Sequence, residues 1–98
     1  MGFILFSWDD TKNEDNQRKH GVSFQAAKLV FDDPLHVTRQ ERIEKGEQRW
    51  QTIGRVGGVV LLLVAHTWCE AESGAEHIRL ISARRTTKLE RKIYEQGA

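Results

Sequence analysis

The sequence carries one cysteine and one proline in 98 residues. A lone thiol, Cys69, excludes an intrachain disulfide and any paired-cysteine metal site, which makes a reducing cytoplasm the expected compartment. Scarce proline and recurring apolar runs argue against disorder. Long hydrophobic runs are missing. VVLLLVA falls far short of the roughly 20 apolar residues of a spanning helix, so no membrane association is expected. MGFILFSWDD lacks the basic start and longer apolar region of a signal peptide. An excess of one charge is missing too. The 15 Lys and Arg against 14 Asp and Glu leave a net charge of +1, which does not describe a generic nucleic-acid or anionic-membrane binder.

What is present suffices for a core. Hydrophobic residues make up 39%, with three Trp and four Phe, and 98 residues fit one domain spanning 1–98. Charge is distributed unevenly. Arg79, Arg84, Arg85, Lys88, Arg91 and Lys92 fall close together with only Glu90 among them, whereas EAESGAE carries no base. A basic patch on a neutral protein suits a phosphate-handling site, and a solvated helix face is the plainer alternative.

FILFSW, bounded by DD, reads as an N-terminal strand. A helix follows over about residues 11–20, capped by Asp10 and closed by Gly21. It contains no apolar residue. At about 100° per residue, Asn13, Asn16, Gln17 and His20 share one arc with Lys12 at its edge, opposite Glu14, Asp15 and Arg18. Amides can be buried when each finds partners, so Asn13 and Asn16 are expected to hold the helix in place. Lys19 and His20 suit its C-terminal dipole or face a ligand.

Ser23 caps a second helix, FQAAKLVF, which Pro34 terminates. LHVTRQ reads as a short strand and ERIEKGEQ as a polar loop. RWQTIGRV and VVLLLVAHTW flank a two-residue Gly57-Gly58 turn, and VVLLLVA marks a central strand buried on both faces. HIRLISAR returns as a strand on which alternation groups Leu80, Ser82 and Arg84 against Arg79, Ile81 and Ala83. TTKLERKIYEQG closes the chain as a helix with a narrow stripe of Leu89 and Ile93. The expected class is α+β: a strand and two helices, three to four further antiparallel strands, then a helix. One sheet face is covered and the other is free to be a site.

The four His are isolated and show no H-x-x-x-H spacing, so neither a metal nor another cofactor is expected. No phosphate-binding glycine loop or nucleophile elbow occurs. His66 extends the row Val60, Leu62 and Val64, where a satisfied core histidine is the commoner outcome. Arg49 and Arg84 lie within apolar strands, and each must meet a carboxylate, a carbonyl or a phosphate. Arg, Lys, His and Tyr on a sheet suit metal-free RNA cleavage. The cations stabilise the transition-state charge, while His, Lys, Tyr or Glu transfers protons.

Two strings sharpen this reading. W-D-x-x-K-N-x-x-N-x-x-K-H-G-V-x-F spans Trp8 to Phe24, and I-S-A-R-x-x-x-x-x-E-x-x-x-Y spans Ile81 to Tyr94, with Arg49-Trp50 between. In order and spacing they resemble the BrnT toxins of type II toxin–antitoxin systems, over nearly the whole chain. The resemblance implies a RelE-like α+β fold and an endoribonuclease that inhibits translation. It also implies a BrnA-like ribbon-helix-helix antitoxin, with operator DNA reached only through the toxin–antitoxin complex.

On that footing Arg84 and Arg49 are expected to hold the scissile phosphate, with Lys19 adding charge. His20 or His66 transfers the proton, and Tyr94 and Glu90 support it. Arg79, Arg85, Lys88 and Lys12 are expected RNA contacts. The alternative is a non-catalytic module that acts as co-repressor with a DNA-binding partner.

Overall fold

Residues 3–97 are described by a computed structural model; Met1 and Gly2 of the N-terminal stretch, and Ala98, lie outside the described residues. The elements are β1 (Ile4–Ser7), α1 (Asp10–His20), α2 (Phe24–Ala27), a 3₁₀ turn (Lys28–Asp32), β2 (Val37–Glu44), β3 (Glu47–Val56), β4 (Val60–His66), β5 (Cys69–Glu70), β6 (Glu76–Arg85) and α3 (Lys88–Gln96). They form one sheet in the order β1-β6-β4-β3-β2, with β5 also on β6. The α+β class is as expected. Five strands follow the first helices rather than three or four, and β1 runs parallel to β6 while the other pairs are antiparallel. No helix among the described residues is long and apolar enough to cross a membrane.

Helices lie on both faces, not one. α2 and the 3₁₀ turn bury Phe24, Ala27 and Val30 against Leu62, Val64, Leu80 and Ala83. On the opposite face α3 sets Tyr94 and Ile93 on Ile53, Leu61 and Leu63. Leu89, expected in its apolar stripe, is 69% exposed, because the docking face is centred on Ile93 and Tyr94 instead. The 3₁₀ turn crosses β3 so closely that a Cβ at Gly54 would stand 2.7 Å from the Val30 carbonyl oxygen.

ERIEKGEQ is not a loop. It forms the tip of the β2–β3 hairpin, where Lys45 and Gly46 take φ of 52° and 79° as a primed turn requires. Polarity hid this strand because β2 is an edge strand. The Gly57-Gly58 turn takes a third residue, Val59, whose N–H donates to the Val56 carbonyl at 3.2 Å.

The polar helix α1 is capped by Asp9, one residue earlier than expected; its carboxylate accepts the Lys12 N–H at 3.0 Å. Its buried residues are the two asparagines. Asn13 Oδ1 accepts the Phe24 N–H at the start of α2 at 2.8 Å, and its amide donates to Gln25 at 3.0 Å. Asn16 holds the edge of β6 at Ala83. The helix is docked by amides rather than by an apolar stripe.

Candidate functional site

A bulge organises the exposed side of β6. Ser82 stands opposite Ala65 and Leu80 opposite His66, which leaves Ile81 as an extra residue. The expected alternation breaks there. Leu80 and Ala83 both enter the helix-covered core, while Arg79, Ser82 and Arg84 share the other face. A regular strand would have separated Arg79 from Arg84.

Arg84, Arg79 and Arg49 on this face are each held by a carboxylate. Arg84 forks onto Glu90 of α3 through two hydrogen bonds of 2.8 and 2.9 Å. Glu90 also accepts the Thr87 N–H at 2.9 Å, completing a capping box. The Arg84 hydrogen bonds, opposed by burial, take the Glu90 carboxyl down to about 2, and the same contact raises Arg84. Glu90 is therefore an anion at neutral pH and orients Arg84.

Arg79 donates to Glu47 at 2.8 Å, and Arg49 pairs with Glu44 at 3.2 Å. The Arg49 side chain is 19% exposed, and its buried Nε has no hydrogen-bond partner among the described residues.

Tyr94 closes one end of the face. Its hydroxyl donates to Asp33 Oδ2 at 2.6 Å, and the same oxygen accepts the Arg55 N–H at 2.8 Å. β2 begins opposite Ile53, so beyond that point Asp33 supplies the acceptor that an edge strand would supply. Burial pushes the Asp33 carboxyl up, but hydrogen bonds from Tyr94, Arg55 and Leu35 bring it below its ordinary value. Tyr94 is raised by its bond to Asp33, then by burial. It keeps its proton at neutral pH and serves as a clamp.

α1 borders the same face. Lys12, Lys19 and His20 line a shallow depression of about 170 Å³ together with Ile81 and Ser82. Lys88 is exposed at the start of α3. Two expected residues fall elsewhere. Arg85 lines the helix-covered side with Val56, Val60 and Leu62.

His66 is 1% exposed on that covered side; Nε2 is 2.7 Å from Thr52 Oγ1 and Nδ1 is 2.8 Å from the Thr67 carbonyl. Burial lowers the His66 pKa, against the pull of the Thr67 carbonyl. Alternation on β4 separates it from Arg84, which lies opposite Leu63. Among the described residues, no three His, Cys, Asp or Glu side chains are grouped to hold a metal ion.

A family model described as the ribonuclease toxin BrnT of type II toxin–antitoxin systems matches residues 8–90. The chain belongs to the BrnT family. It is also similar to the 1.1 Å crystal structure of the Brucella abortus ribonuclease toxin, BrnT, with a TM-score of 0.57 and 26% identity over 90% of this chain and 100% of that one. No curated protein matches it. The BrnT match begins at Trp8 and ends at Glu90, so it includes the Arg84–Glu90 fork and stops short of Tyr94.

Sequence reading overlooked two groups in this BrnT chain. His77 lies two residues before Arg79 on β6, and its Nε2 is 2.7 Å from Ser7 Oγ. Alternation back from Arg79 was signal enough to find it. Asp33 had no local signal, since its partner Tyr94 is 61 residues away.

Proposed function

We propose that this BrnT chain, acting as one toxin domain, is a metal-independent endoribonuclease that inhibits translation by cutting RNA in the cytoplasm. The observation that carries the reading is the gathering of Arg49, Arg79 and Arg84 on the sheet face that α3 covers at one end, with Lys12, Lys19 and His20 along its border. Such a face suits a polyanion whose scissile phosphate gains charge in the transition state. The family description, a ribonuclease toxin, agrees with it.

In this reading the ribose 2′-OH loses its proton and attacks the adjacent 3′-phosphate. The P–O5′ bond breaks to leave a 2′,3′-cyclic phosphate, and the 5′-oxygen departs as a protonated hydroxyl. Arg84 and Arg49 stabilise the extra charge on the way. Glu90 and Glu44 orient the two guanidinium groups, and Lys19 adds to the local potential. His20 is assigned the proton transfer, because it is exposed and borders the face, whereas His66 is sealed with both ring nitrogens occupied. Tyr94, tied to Asp33, positions α3 rather than carrying protons. Lys12, Arg79 and Lys88 hold flanking phosphates. Arg85 contributes only if RNA wraps past the end of the sheet.

A BrnA-like antitoxin is the proposed partner, covering the toxin and reaching operator DNA as the complex. The reading is tested by incubating purified protein with single-stranded RNA, with and without a chelator. Cleavage that survives chelation, and is lost in Arg84→Ala, supports it. A metal requirement that persists after repurification refutes the metal-free chemistry. Intact RNA with operator binding retained in complex would leave a co-repressor.

A further inference from the structure

We propose that a cleft on the helix-covered side of the sheet receives an arginine side chain presented by a protein partner. The proposal rests on the reading above only in supposing that such a partner exists. The cleft has a volume of about 360 Å³ and lies where β1, β2 and β6 meet the Phe31 turn. Phe31, Ile78, Ile4 and Trp68 form its apolar walls, and among the described residues no Lys or Arg lines it. Ile4 is 39% and Trp68 43% exposed, so two large apolar groups remain in contact with water at its mouth.

The polar groups of the cleft present acceptors only. His66 Nδ1 faces the Thr67 carbonyl, so it carries the ring proton, and Nε2 accepts from the Thr52 hydroxyl. Thr52 has then used its single proton, so Thr38, at 2.8 Å, must donate to Thr52. The Thr38 oxygen is left with lone pairs alone. His36 Nδ1 is 2.7 Å from the Asp33 carbonyl, which places a ring proton on Nδ1 and assigns Nε2 as the acceptor of that tautomer. Glu76 Oε1 takes the Trp68 indole N–H at 2.9 Å, and Oε2 has no hydrogen-bond partner among the described residues.

An occupant must therefore bring N–H donors and tolerate an aromatic wall. A guanidinium does both: it is planar, rich in donors, pairs with carboxylate and stacks on indole. Charge separates this occupant from RNA. Glu70 ends β5, Glu72 lies in the turn after it and Glu76 begins β6 opposite Glu70, and no Lys or Arg occurs between Trp68 and Ile78. That potential repels phosphodiesters and attracts a basic side chain. RNA and the partner's arginine thus meet opposite sides of the sheet.

The test uses nuclear magnetic resonance of the full chain, following the Trp68 indole N–H and the His36 ring. N-acetyl-arginine amide is titrated beside its neutral citrulline analogue and guanosine 5′-monophosphate. The arginine probe should shift both signals saturably, the citrulline analogue should not, and Glu76→Gln should weaken binding about tenfold as a charge-assisted contact becomes neutral. The amide carbonyl that replaces the carboxylate in Glu76→Gln can still accept the indole N–H, and an unchanged melt verifies the fold of this variant. Arg84→Ala should leave the titration unaltered, which separates this site from the RNA-cutting face. Saturation by the nucleotide in place of arginine overturns the proposal in favour of a base pocket. Silence from all three probes overturns it outright.

Discussion

Asn16 lies against Ala83 as a neighbouring strand would. Its Oδ1 accepts the Ala83 N–H at 3.1 Å, and its Nδ2 donates to the Ala83 carbonyl at 2.9 Å and the Val22 carbonyl at 2.8 Å. β1 leaves β6 after Ser7, and the side chain continues the pairing that the backbone has abandoned. Asn16→Leu should therefore cost about 2–4 kcal/mol in urea unfolding, because it strands two buried backbone groups of β6. Asn16→Asp should recover little, since a carboxylate cannot donate to either carbonyl. A loss below about 0.5 kcal/mol would mean water replaces the amide without penalty.

The Arg84–Glu90 fork predicts unequal mutants. Arg84→Ala and Arg49→Ala should each abolish growth inhibition and lower RNA cleavage by about 10²-fold or more, with a cooperative melt retained. Glu90→Gln should keep part of the activity, because an amide can hold one guanidinium N–H but not the charge-assisted fork. Loss of toxicity that accompanies loss of the melt would make these residues structural.

The two candidate histidines should separate cleanly. His20→Ala should reduce cleavage about 10²-fold or more at unchanged stability, being exposed and bordering the face. His66→Ala should destabilise by about 2–4 kcal/mol, because it opens a cavity and leaves the Thr52 hydroxyl proton without its acceptor. Equal activity of the folded fraction of His66→Ala and wild type, measured below their melts, would complete the separation. The opposite pattern would transfer the proton-transfer role to His66.

Stability should fall on the acid side. Glu90 drops from 4.5 to about 2, and Asp33 is also lowered, so the unfolded chain binds protons that the folded chain refuses. The Glu90 contribution is complete above its ordinary value and is lost as pH falls from about 4.5 towards 2. The Asp33 contribution is lost in the same direction, as pH falls below its ordinary value. His66 acts with the same sign from 6.5 downward, since burial disfavours its charged form. Denaturant midpoints measured between neutrality and acid should decline accordingly, and Glu90→Gln should flatten the lowest part of the curve.

Gly54→Ala offers a packing test remote from the basic face. The new methyl would meet the Val30 carbonyl oxygen at 2.7 Å and Val30 Cβ at 2.8 Å. Backbone on both sides leaves little room to yield, so a loss of about 1–3 kcal/mol is expected in thermal or urea unfolding. Wild-type stability would show that the 3₁₀ turn lifts away at no cost.

By itself the sequence determined what depends on near neighbours. Gly21 ends α1, Thr87 and Glu90 box the start of α3, and VVLLLVA forms the central strand. Each is decided by groups within a few residues, whose backbone preferences act before any tertiary contact. The amide face of α1 was legible for the same reason, as helical geometry alone places Asn13 and Asn16 side by side.

Only the tertiary structure decided which residues meet. A bulge at Ile81 puts Arg79 and Arg84 on one face, a choice made by the burial of both Leu80 and Ala83. Asp33 finds Tyr94 across 61 residues because β2 begins only opposite Ile53 and leaves the Arg55 N–H to Asp33. β1 joins β6 in parallel, a pairing with no turn between the strands to announce it. Register, bulges and sheet edges are settled by what the whole core must bury and which backbone groups it must satisfy, and no local stretch of sequence carries that information.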